Sequence, residues 1–139
     1  MEIDTSTPFG ARVAQRLEND TIIWLTTVGA DLTPQASPVW FLWEGDSVLI
    51  YSQPNTPKVR NVKARPRVSL NFNSSETGGD VVVMTGNGII DTEAVPASEN
   101  AVYIEKYADG LRDIGMTAEE FAKSYSVPIR VRPTSLRGF

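Results

Sequence analysis

Five of the chain's thirteen Lys and Arg residues fall within ten positions: Lys58, Arg60, Lys63, Arg65 and Arg67. No Asp or Glu occurs between Gln53 and Ser75, although the chain carries a net charge of −4. Thr56-Pro57 just ahead of the cluster has the pattern of a helix start, with Thr as cap and Pro at the first helical position. The first turn of such a helix offers free backbone N–H groups at the positive end of its dipole, a setting that suits a phosphate. Ser52 and Thr56 can add hydroxyl donors there, and Lys58 and Arg60 can add charge. Two readings stand side by side: an anion site, or a solvated helix face beside a basic strand start. The spacing does not say which anion. No GxxxxGK[ST] loop occurs, and Thr85–Gly88 (TGNG) is too short for a dinucleotide fingerprint and lacks a following helix.

Other chemistry is thinly represented. The chain has no Cys and no His. Disulfides, thiol nucleophiles, the usual neutral-pH base, the commonest zinc and haem ligand, and the Ser-His-Asp triad are therefore all absent. Asp91 and Glu93 share a strand face but read as solvated, and Glu119 and Glu120 read as helix-capping acids, so no catalytic residue and no metal site is expected. The composition leans toward binding, or toward chemistry that a cofactor brings with it. Trp24, Trp40, Phe41, Trp43, Tyr51 and Phe72 lie on expected strands near the basic cluster. Most read as core. Trp40 is the exception, because alternation puts it opposite Val39 and Phe41, where a flat ring could border a planar ligand. Arg130, Arg132 and Arg137 near the C-terminus are either ordinary surface or the completion of an anionic groove.

The elements that must position these residues follow from pattern. At 139 residues a single domain, 1–139, is expected. Residues 1–6 are expected to be a loose end. Thr7-Pro8 starts a helix with Phe9, Val13 and Leu17 on one face. Strands are expected at Thr21–Val28, Gln35–Trp43, Ser47–Ser52, Arg67–Asn73, Asp80–Glu93 and Val127–Val131. Pro38 requires an edge or a break in the second of them. Gly86 and Gly88 suggest a bulge in the fifth. A short helix opens at Pro57 with Val59 and Val62 inward and ends at Arg65, before Pro66. Pro96–Asp109 is expected to be helical with Gly110 as its stop, and Thr117 with Glu120 forms a capping box for a last helix. The sum is mainly β, a small six-stranded antiparallel barrel with peripheral helices. No apolar run reaches 18 residues and the N-terminus is acidic and polar, so a cytoplasmic protein is expected, with no membrane partner. A sequence pI near 4.8 argues against nucleic acid.

The run from Pro34 to Phe72, PQASPVWFLWEGDSVLIYSQPNTPKVRNVKARPRVSLNF, resembles the pyridoxamine-phosphate-oxidase-like split-barrel superfamily. It looks most like the flavin/deazaflavin oxidoreductase B group, which uses coenzyme F-420. The matching features are P-Q-x-S-x-V in the second strand and P-K-x-R-N-[VL]-x-x-x-P-R-x-S-[LI] after it, with similar patterns at both ends of the chain. The resemblance implies a split β-barrel homodimer with two cofactor grooves at its interface. The cofactor ring would lie near Ser37, Val39, Trp40, Tyr51 and Ser52. Lys58, Arg60 and Asn61 match the positions near the phosphate, with Thr56 beside them. The implied activity is hydride transfer from reduced F-420 to an electron-poor organic acceptor. FMN dependence is the alternative cofactor, and a non-catalytic flavin or deazaflavin carrier is the alternative role. Pro38 departs from the family pattern, standing where a polar residue is often seen, and Trp40 is bulky beside the ring position.

Overall fold

The computed structural model describes all 139 residues. Helix α1 (Pro8–Asn19) starts as its sequence requires: the Thr7 hydroxyl accepts from Gly10 N at 3.0 Å, and Val13 and Leu17 are buried. The segment before it is not loose. Ile3 packs against the core, and the Asp4 carbonyl lies so close to Gly10 that a Cβ there would sit 1.9 Å from its oxygen.

Seven strands follow, one more than expected: β1 (Ile23–Val28), β2 (Pro34–Val39), β3 (Leu42–Trp43), β4 (Val48–Ser52), β5 (Arg67–Asn71), β6 (Val82–Ile90) and β7 (Val127–Gly138). They form one antiparallel sheet in the order β2-β1-β5-β6-β7-β4-β3. The extra strand arises because the chain breaks at Trp40-Phe41. β2 and β3 lie at opposite edges of the sheet, yet only two residues separate them. Three Cα steps span at most about 11 Å. The sheet must therefore curl until its two edges nearly meet, which makes it a split barrel. Pro38 is tolerated because β2 is an edge strand.

β7 runs seven residues beyond the expected end at Val131 and pairs with β6 from Ile129 to Gly138. Pro133 does not stop it. It falls opposite Gly86, where the register shifts and leaves Thr134 unpaired, so its missing N–H coincides with a bulge. Gly86 is obligatory there, since a Cβ would lie 2.2 Å from the Arg132 carbonyl oxygen.

Helix α2 (Pro57–Ala64) ends before Pro66 as expected and buries Val59 and Val62. The expected helix Pro96–Asp109 is instead a 3-10 turn (Ala97–Glu99), α3 (Ala101–Lys106) and α4 (Ala108–Asp113). Gly110 sits inside α4 and is no stop. Its missing Cβ makes room for the Trp40 ring, which a Cβ would meet at 3.0 Å. The stop is Gly115, at φ +69°, where Gly115 N donates to Arg112 O and Met116 N to Leu111 O. That is the paired bonding of a Schellman terminus. Helix α5 (Ala118–Ser124) has the expected capping box between Thr117 and Glu120.

Two apolar clusters result. One fills the barrel beneath α1 and α2. The other, including Tyr51, Tyr103, Tyr107, Leu111 and Phe121, lies between β4 and α3–α5. No helix is long and apolar enough to cross a membrane.

Candidate functional site

β2 and β4 present their ends to α4 and α5 around a cavity of about 390 Å3. Its walls include Val39 at the end of β2 and Trp40 just after it, Tyr51 and Ser52 at the end of β4, Lys58 from α2, Phe121 from α5 and Tyr125 at its C-cap. Five of the nine sequence-derived site residues meet here: Val39, Trp40, Tyr51, Ser52 and Lys58. Ser37, Thr56, Arg60 and Asn61 do not line it.

Each of those four has a definite place. Ser37 pairs with Leu25 along β2 and is half-buried. The Thr56 hydroxyl lies 3.2 Å from Ser52 Oγ and 3.4 Å from Gln53 O, and it does not cap α2. Arg60 reaches back to donate to Asn55 O at 2.6 Å. Asn61 is buried and fully engaged: Nδ2 donates to Thr27 Oγ1 at 3.0 Å and Gln35 Oε1 at 2.9 Å, and Oδ1 accepts from Arg65 Nη2 at 3.3 Å. In this fold Asn61 ties α2 to β1 and β2.

The electrostatics of the cavity come from its cationic end. The chain has seven ion-pair contacts, all made by Arg12, Arg16, Arg112, Arg130 and Arg132. None of Lys58, Arg60, Lys63, Arg65 and Arg67 takes part. Arg65 donates to the Val28 carbonyl and Asn61, and Arg67 to Asn87 and Thr134, all neutral acceptors. Lys58 is half-buried, and removal from water pushes its ammonium below the ordinary lysine pKa. A half-buried cation without a counter-charge, beside a first helical turn that no side chain caps, is an arrangement that an anion completes.

Arg130 and Arg132 do not extend this site. Arg130 is bound to Asp91 at 2.7 Å, Glu44 at 2.8 Å and Ser47 Oγ at 2.9 Å, and Arg132 faces Asp46 at 3.6 Å. Asp91 is thus a partner of Arg130 and not a solvated acid, and the hydrogen bond from Arg130 holds its carboxyl below the usual range.

Trp40 lines the cavity together with Val39, because β2 ends at Val39 and the expected alternation lapses there, and its ring is held by its own chain. It stacks on Tyr107 (centroids 4.5 Å apart, 5° between planes) and on Phe121 (5.3 Å, 14°). Tyr125 stacks in turn on Phe121 at 4.3 Å. Phe121, Tyr125 and Ile114 are wall residues that sequence reading passed over. The i, i+4 spacing of Phe121 and Tyr125 was the available signal, although it equally describes a packing face. A wider depression of about 880 Å3 is lined by Met1–Ser6, Ala14, Trp43 and Gly45. Its Glu2 and Asp4 disfavour an anion.

No group of three or more acidic, His or Cys residues could hold a metal. His and Cys, two of the ordinary axial ligands of haem, are absent from the chain. The walls of the cavity are mostly aromatic and apolar, with Lys58 among them.

The fold defines a class: a split-barrel protein, here with a cavity lined by aromatic and apolar residues and by Lys58. Residues 9–135 match the family model described as pyridoxamine 5'-phosphate oxidase. The chain belongs to that family. Among solved structures it is similar to one described as an F420 reductase, at 28% identity and a TM-score of 0.67, over 88% of this chain and 94% of the other. It is also similar to a Listeria innocua protein described as a putative pyridoxamine 5'-phosphate oxidase (21%, TM-score 0.69, 91% and 94%). The haem storage protein HutZ from Vibrio cholerae is a third (15%, TM-score 0.64, 99% and 95%). The last two likenesses concern the fold alone. No curated protein matches the chain.

Proposed function

We propose that this chain is an oxidoreductase that binds reduced coenzyme F-420 and serves hydride transfer to an electron-poor organic acceptor. The observation that carries the reading is Lys58, a half-buried ammonium without a counter-charge, at one end of a cavity walled by Trp40, Tyr51, Phe121 and Tyr125. The similarity to the F420 reductase structure, the one of the three above 25% identity, favours the deazaflavin over FMN.

A reduced deazaflavin supplies a hydride from its central ring, so the protein is asked to bind, orient and exclude water. Lys58 and the first turn of α2 hold the phosphate. The Ser52 hydroxyl, which donates to Gln53 O at 2.9 Å, fixes the loop leading into that turn. Val39 and Trp40 set the width of the cavity. Trp40 cannot yield easily, because Tyr107 and Phe121 stack on it.

The molecule is proposed to be a homodimer through the outer face of its sheet. Ala36, Thr26, Ser69, Thr85 and Ser135 stand opposite one another in register across five neighbouring strands. This band is uncharged and low, so a second copy can pack on it at the usual sheet spacing of about 10 Å.

Fluorescence titration of the purified protein with F-420, and separately with FMN, tests the cofactor. Micromolar or tighter F-420 binding with much weaker FMN binding is expected. The reverse preference moves the protein to flavin, and binding of neither overturns the reading. Acceptor-dependent oxidation of bound cofactor above the background rate separates an enzyme from a carrier.

A further inference from the structure

A second cavity, of about 450 Å3, adjoins the first, and Tyr51 and Tyr125 line both. Its remaining wall is mostly apolar, with Ile90, Ala94, Ala122, Val127 and Pro128 among its residues. The two shared tyrosines differ. Tyr51 is fixed, its hydroxyl donating to Val95 O at 2.8 Å and accepting from Asn100 Nδ2 at 3.2 Å. Tyr125 is half-buried at the end of α5, held by stacking on Phe121, with no hydrogen bond to its hydroxyl.

Helix α2 sends a lysine to each chamber: Lys58 to the first and Lys63, at its last turn, to the second. Neither has a carboxylate partner. Lys63 is exposed at the rim, and no carboxylate lines the chamber with it.

We infer that the second cavity binds a planar, largely apolar molecule carrying one carboxylate, with the carboxylate at Lys63 and the apolar body against Ala94, Ala122 and Val127. Its size lies within the range of small-molecule sites, about 300–1,000 Å3. The molecule takes its place beside the cofactor chamber, across Tyr51 and Tyr125. A hydride passes only between atoms about 3–3.5 Å apart, so a molecule held behind Tyr51 and Tyr125 is a second ligand and not the hydride acceptor; its binding does not depend on the function proposed above. The ligand class follows: conjugated, unsaturated carboxylic acids in preference to neutral analogues or polyanions.

The test uses trans-cinnamate and its neutral amide, measured by calorimetry with the full chain, with and without F-420. Cinnamate is expected to bind about three-fold more tightly than cinnamamide, the modest preference an exposed charge gives. Lys63→Gln removes that preference. Ala122→Trp fills the chamber without touching the first one and is expected to weaken both probes about ten-fold, a loss of about 1.4 kcal/mol. It leaves F-420 affinity unchanged. Ala94→Phe repeats the measurement from another wall, should the tryptophan disturb α5. The inference is overturned if neither probe binds wild type, if both filled variants bind cinnamate normally, or if F-420 displaces cinnamate. If F-420 fails to bind wild type while the probes behave as expected, the cofactor assignment falls and the chamber stands.

Discussion

Lys58 and Lys106 are both lysines drawn partly out of water, and they call for different experiments. Lys58 faces a cavity. Replacing it with Gln is expected to weaken F-420 or inorganic phosphate binding about ten-fold or more, as for a charge-assisted hydrogen bond. Arg60→Gln should cost less, because that side chain is turned back to Asn55 O. Anion affinity should also fall on the alkaline side earlier than for an ordinary lysine, since desolvation favours the neutral amine. Titration fluorescence at several pH values reads all three. Lys106 is structural: Nζ donates to Phe41 O at 2.9 Å and lies 3.7 Å from the Phe41 ring centroid. Burial lowers its pKa from 10.5 to about 8. Between those values the unfolded chain holds a proton that the folded one has shed, so folding stability attributable to Lys106 rises with pH through that window. Urea unfolding of wild type against Lys106→Met is expected to show the gap moving in favour of wild type from about pH 8 to pH 10. A gap that does not change with pH would mean the ammonium is not desolvated. At this scale the basic cluster was readable as a charge anomaly, and two of its members, Lys58 and Lys63, each line a cavity. Nothing in the sequence distinguished Asn61, buried and saturated, from Arg60 one residue before it, because that difference is made by β1 and β2.

The elements that announced themselves were those with local signals. Thr7-Pro8, Thr56-Pro57 before α2 and the Thr117/Glu120 box mark helix starts by chemistry within four residues. What stayed illegible depended on partners far away in sequence. Gly110 has the look of a helix stop, yet it is there to admit Trp40, seventy residues earlier. Pro133 has the look of a strand stop, yet β6 supplies a bulge opposite it. Gly110→Val is therefore expected to fold less stably and to change the cavity, since the added Cβ pushes on the Trp40 ring. Tryptophan fluorescence and F-420 affinity should both shift. Tyr107→Phe removes a hydroxyl that accepts from Phe41 N at 2.7 Å and donates to Thr21 O at 2.8 Å. Leaving that buried amide unpaired costs about 1–3 kcal/mol. A Tm lower by several degrees is expected; an unchanged Tm would show that the seam between β2 and β3 does not depend on this bond.

For the whole molecule, the expected barrel is present, built from seven strands instead of six, and its closure depends on a two-residue passage between opposite sheet edges. The proposed dimer is tested at this scale. Sedimentation should give twice the chain mass of 15.3 kDa, and Thr85→Arg, placing a large charge in the middle of the uncharged band, should shift the protein toward monomer. A wild-type monomer would remove the outer face as an interface.

The passage at Trp40-Phe41 has one more consequence. The Phe41 amide is bonded to Tyr107 and its carbonyl receives Lys106, both sixty-five or more residues later. The neighbouring Trp40 walls the ligand cavity. Undocking of α3 and α4 therefore frees the Phe41 amide to exchange with solvent deuterium without melting the rest of the sheet. Its protection is a single-site gauge of helix docking. A ligand wedged against Trp40 should slow that exchange, while amides in the middle of β6 keep the rate set by global unfolding.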